Sequence, residues 1–61
     1  MNKREKHNIL VDLRESQEAL IRAAKGFQNL DGNFKAAIKE MKETIGDLTI
    51  AIYTLETYEQ D

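Results

Sequence analysis

The carboxylates Glu15 and Glu18, and again Glu40 and Glu43, stand three residues apart, a spacing that puts both side chains on one face of a helix. Pairs of this kind, joined by histidine, hold two metal ions inside helical bundles. The chain supplies no histidine for that role. Its one histidine, His7, follows Lys3, Arg4 and Lys6 in a charged stretch where a solvated imidazole is expected. Both carboxylate pairs therefore read as solvated faces, with Lys39 and Glu43 available as an i,i+4 ion pair. Cysteine is absent, which removes a thiol nucleophile, a disulfide and a thiolate zinc site together. Nor does the sequence offer a glycine-rich phosphate loop, or a Ser, His and Asp set that two helices could gather in a pocket. The expectation is a protein with no catalytic residue, no cofactor and no metal, and hence not an enzyme.

Charge narrows the remaining classes. Eleven acidic and nine basic residues are largely interleaved and leave a formal net charge of −2. Such a balance gives no general attraction to nucleic acid or anionic lipid. Lys3, Arg4, Lys6 and His7 form a short basic patch that a dimer would double, so nucleic-acid binding through it is a minor reading. Against it, there is no recognition helix dense in Arg, Lys, Asn or Gln. A DNA-mimicking inhibitor would need carboxylates massed on one face, and lysines and arginines alternate with them here. The longest uninterrupted apolar run, Ile50 to Tyr53, is too short to span a bilayer, and a cytoplasmic location is expected.

What must position any functional surface is helix. Leu13, Leu20, Phe27, Phe34, Met41, Leu48 and Leu55 recur every seven residues, and Ile9, Ser16, Ala23, Leu30, Ala37, Thr44, Ala51 and Tyr58 complete a three-four alternation between them. Proline is absent. The one interior cluster of turn-forming residues is Gly26 to Asn33, where Gly32 can adopt a positive φ and Asp31 or Asn33 can cap a following helix. The expected architecture is an all-α antiparallel hairpin in a single domain, with a helix over about 3–28, a turn over about 29–33 and a helix over about 33–59. The alternative is one continuous long helix, because the apolar register passes through the turn cluster unshifted. Basic residues at the start and Glu56, Glu59 and Asp61 at the end have the wrong sign for their own helix dipoles. Folding back relieves the conflict and stacks Ile9 on Ile52, Leu13 on Leu48, Leu20 on Met41 and Phe27 on Phe34.

A chain of 61 residues hides only a modest part of its surface when folded alone, and neither disulfide nor metal makes up the deficit. Self-association is therefore expected, most simply two hairpins forming a homodimeric four-helix bundle. Its core would comprise Ile9, Leu13, Leu20, Phe27, Phe34, Ile38, Met41, Ile45, Leu48, Ile52 and Leu55. Ser16 and Gln17 interrupt this stripe and would face Thr44 and Ile45 as a polar layer that sets register, so that Ser16→Leu should raise the melting temperature. A second stripe, Gly46, Ile50, Tyr53 and Thr57, lies on the far side of the second helix as a candidate second interface. Gly46 would let a neighbouring backbone approach, and Tyr53 is a rigid amphipathic anchor. The β-branched run from Thr49 to Thr54 admits a strand as a further alternative.

These features favour a small homo-oligomeric protein that binds another protein as a regulator or inhibitor. The alternative is a purely structural assembly or scaffolding module whose partner is itself. No motif identifies a family. Short, cysteine-free helical proteins rich in lysine and glutamate are often bacterial or phage products that bind a host protein, which tilts the expectation toward the first reading.

Overall fold

A computed structural model describes residues 2–58 of the chain. Two helices, α1 (Lys3–Gln28) and α2 (Lys35–Glu56), fold back on one another as an antiparallel hairpin. The chain is thus turned at the glycine-containing cluster, and the single unbroken helix is not formed. The run from Thr49 to Thr54 is helical, contrary to the strand alternative. Thr49 and Thr54 each turn their hydroxyl onto the carbonyl four residues back, which satisfies a β-branched polar side chain within a helix.

Local chemistry explains both ends of α1. Asn2 Oδ1 accepts the Glu5 amide at 2.8 Å while Glu5 reaches back to the Asn2 amide, a capping box that also places an acidic side chain at the positive end of the helix dipole. At the other end the Asn29 amide donates to the Gly26 carbonyl at 3.2 Å. The start of α2 differs from expectation. Phe34 is its N-cap residue and makes no side-chain cap, and Asn33 Oδ1 accepts only a long 3.4 Å hydrogen bond from the Lys35 amide. Asp31 takes no part in capping.

Gly32 has φ +148°, a backbone conformation that other residues rarely adopt. Its bare Cα also makes room for Phe34, whose Cε2 would lie 2.9 Å from a Cβ at position 32. Phe34 in turn packs on Phe27 with ring centroids 5.2 Å apart and planes inclined at 56°, so an aromatic pair bridges the two helices beside the turn.

The open end is fastened by charge. Lys6 Nζ, from the first turns of α1, donates to the carbonyls of Glu56 at 3.2 Å and Tyr58 at 3.0 Å, supplying a cation to the negative end of α2. Arg14 meets Glu56 at 2.6 Å. The unfavourable dipole terms seen in each helix separately are thereby turned into contacts between them. Glu59 and Asp61, which belong to the same expectation, lie outside the described residues.

The seam itself corrects one detail of the heptad. On α1 the buried side chains are Leu10 and Ala24, and Gln17 is half-buried between them, while Ile9, Ser16 and Ala23 are exposed. Leu10 rather than Ile9 therefore fills the seam opposite the end of α2. Gln17, and not Ser16, is the polar layer: its amide donates to the Ile45 carbonyl at 3.0 Å and to Thr49 Oγ1 at 2.6 Å. On α2 Ile52 is buried, and Phe34, Ile38, Met41, Ile45, Leu48 and Leu55 are half-buried. Among the described residues no large side chain is fully enclosed. The molecule measures 51 × 15 × 10 Å across its Cα atoms, two helices wide and one thick, which leaves no layer in which a side chain could be surrounded.

Candidate functional site

The residues that could have carried chemistry stay apart from one another. His7, Glu15, Glu18, Glu40 and Glu43 are all exposed, and among the described residues no three His, Cys, Asp or Glu side chains group as metal ligands would. The one ion pair among the described residues is Arg14 with Glu56. Lys39 and Glu43, suited by spacing to pair, instead line a shallow groove with Lys35, Ile38 and Lys42.

Two apolar surfaces stand out. The first follows from the seam correction. Leu13, Leu20 and Phe27 on α1, Phe34 at the N-cap of α2, and Met41, Leu48 and Leu55 on α2 are half-buried along the line where the two helices pack. Their outer sides border a second row, formed on α1 by Ile9, Ser16 and Ala23, with Leu30 just past its end, and on α2 by Ala37, Thr44 and Ala51, with Tyr58 just past its end. Each helical member of that row lies three or four residues from a member of the first, as helical neighbours on one face must. Together these fifteen residues make one broad face, and none of them is charged; the exposed carboxylates Glu5, Asp12, Glu40 and Asp47 stand along its outer edges. Within the row Ala37 and Ala51 are half-buried and the rest exposed, Leu30 and Tyr58 each by more than half. Tyr58 and Leu55 line a shallow depression with Ala51 and Thr54 at the open end of this face.

The second surface is the stripe on the far side of α2. Ile50 is 66% and Tyr53 67% exposed, and Gly46 and Thr57 are exposed beside them. Tyr53 borders a groove with Arg14, Gln17, Glu18, Thr49, Ile52 and Glu56, which fixes it on the side of the seam opposite Ala51 and Tyr58. A Cβ at Gly46 would meet nothing within 4 Å, so no part of the hairpin uses the close approach that this glycine permits. Thr57 turns its hydroxyl to the Tyr53 carbonyl at 2.9 Å, helping to end α2. Nearer the turn the same side of α2 carries Lys35, Lys39 and Lys42.

Of the residues expected to form an oligomer core, Leu13, Leu20, Phe27, Phe34, Ile38, Met41, Ile45, Leu48, Ile52 and Leu55 all lie along the hairpin seam. Ile9 stands outside it, 40% exposed on the uncharged face. Leu10 and Ala24 are the seam residues that the seven-residue spacing passes over. Their signal in the sequence is an apolar position immediately after each of Ile9 and Ala23, which widens the stripe without saying which edge turns inward. Across the described residues no helix is long and apolar enough to cross a membrane. Comparison with protein-family models, with curated proteins and with solved structures gave no match.

Proposed function

We propose that this chain is a cytoplasmic protein-binding module that self-associates as a dimeric four-helix bundle and holds another protein, as a regulator or inhibitor, on the outer surface of the bundle. The observation that carries this reading is the uncharged face. A surface of fifteen residues with no charge, on a hairpin with a third of its residues charged, is what a helical layer leaves open for a second layer. Covering it with a second hairpin gives Leu13, Leu20, Met41, Leu48 and Leu55 the packing on all sides that one hairpin cannot provide.

Closing that face leaves Tyr53 and Ile50 outside, because they lie across the seam from it. A dimer then carries two copies of the stripe pointing away from each other, so it can hold two molecules of a partner. Exposed tyrosine and isoleucine around a glycine suit a rigid helical or loop surface that packs closely on α2.

Light scattering on the purified protein tests the first half, with twice the chain mass expected at micromolar concentration. For the second half, wild type and Tyr53→Ala are used to capture proteins from a bacterial lysate, and any captured protein is purified and rebound. Tyr53→Ala should remain dimeric and lose the partner. Equal capture by both proteins removes the stripe from the reading, and capture of nothing by either favours an assembly module whose partner is itself.

A further inference from the structure

The two copies in such a dimer can be related in only two ways. A twofold axis along the helices puts both turns at the same end and lays α1 on the partner's α2. An axis across the helices puts the turns at opposite ends and lays each helix on its own copy. Resting on the dimer proposed above, we propose that the second copy docks with its turn at the opposite end, in the register that sets Ser16 against Ser16 of the other copy.

The distribution of volume along the uncharged face decides between the two. Its outer row is bulky at the open end, where Ile9 and Tyr58 stand, and small toward the turn, where Ala23 and Ala37 stand, with Ser16, Thr44 and Ala51 between and Leu30 alone past the end of α1. Levels along the hairpin are fixed by the contacts of Lys6 with Glu56 and Tyr58, of Gln17 with Ile45 and Thr49, and of Phe27 with Phe34. With both turns at one end, Ile9 and Tyr58 of the two copies crowd together while the alanines of both face a gap. With the turns at opposite ends and Ser16 on the axis, Ile9 falls on Ala23, Tyr58 on Ala37 and Thr44 on Ala51 of the other copy. The same register serves both helices at once, because the α1 and α2 pairings share a centre at the level where Gln17 meets Ile45 and Thr49. Along the outer row large side chains then meet small ones, and Leu30 falls at Asn2, just before the start of the other copy's α1; in the inner row leucine meets leucine, Leu13 on Leu20 and Leu48 on Leu48. The face extends about 30 Å along the hairpin from Ile9 to Leu30, at about 1.5 Å per residue, and with the side chains of both helices it approaches the lower end of specific interfaces, about 600 Å² per partner.

Two cysteine variants test the arrangement, and the absence of native cysteine makes each label unique. Asp31 is exposed in the turn, off the face, so Asp31→Cys carrying a nitroxide reports the distance between turns. Opposite ends place the two labels roughly 45 Å apart, from about fifteen residues of helix rise on each side of the axis. Ser16→Cys should give a covalent dimer on mild oxidation, since each Cα then lies near the 4.4–6.8 Å a disulfide spans. A long label distance with efficient crosslinking supports the proposal. A label distance below about 25 Å overturns the orientation, at one turn's width plus two label arms. A long distance with no crosslink overturns the register. Light scattering on both labelled variants separates these failures from the absence of a dimer, which would remove the underlying reading as well.

Discussion

Placing one carboxylate in the uncharged face is the most direct perturbation of the assembly. Ala23 is exposed on that face, next to the half-buried Leu20 and Phe27, and its substitution by glutamate changes nothing inside the hairpin seam. In the proposed dimer each copy buries one such carboxylate against Ile9 of the other, with no cation within the face to meet it. An unsatisfied buried polar group costs about 1–3 kcal/mol, and more when charged, so two per dimer cost at least about 3 kcal/mol. That corresponds to a dissociation constant at least about 100-fold weaker, at about 1.4 kcal/mol per tenfold. Tyr53→Glu is the control: the same charge introduced at an exposed position across the seam from the face. Sedimentation velocity across a concentration series reads both. Ala23→Glu should sediment as monomer at concentrations where wild type and Tyr53→Glu are dimers, with helical circular dichroism retained at high concentration. Should Ala23→Glu dimerise as tightly as wild type, the face is not the interface and the volume argument built on it fails too.

Within the hairpin, Gly32→Ala should lower stability by about 1–3 kcal/mol, because it forces a disfavoured φ and sets a methyl against Phe34. For a chain of this size each kcal/mol moves the melting temperature by roughly 4–8 °C, read by thermal circular dichroism. Gln17→Leu exchanges two hydrogen bonds for apolar packing in a half-buried seam position and should raise the melting temperature, whereas Ser16→Leu should leave a forced monomer such as Ala23→Glu unchanged. Glu56→Gln removes the Arg14 ion pair, but both side chains are almost half exposed, so chemical denaturation should show a loss below about 0.5 kcal/mol. Tyr53→Ala should leave both the melting temperature and the dimer mass at wild-type values, since the ring lies largely in solvent.

Turn position, helix type and antiparallel sense were legible in the residues. Gly32 followed by the aromatic partner of Phe27, together with basic residues at one end and Glu56 at the other, allows little else once the chain folds back. The capping of α2 was less legible, because Asp31 and Asn33 are both chemically able to cap and only the path of the turn excludes them. The polar layer was narrowed to Ser16 and Gln17, and the longer side chain proved to be the one that reaches across to Ile45 and Thr49.

A seven-residue repeat set against 3.6 residues per turn fixes that a helix has an apolar stripe, but not where along its width a neighbouring helix will press. Ile9 and Leu10, Ser16 and Gln17, and Ala23 and Ala24 are adjacent pairs on α1, and either member of each could have turned inward. Their order along the chain settled that there would be helix with one wide apolar band, and left open whether it turned back at Gly32 or ran on unbroken. Only the docking of α1 against α2 chose Leu10, Gln17 and Ala24 for the seam and left Ile9, Ser16 and Ala23 on a face of their own. Packing distributes a stripe between its partners according to the shape of both, and one strand of sequence carries no record of the other surface.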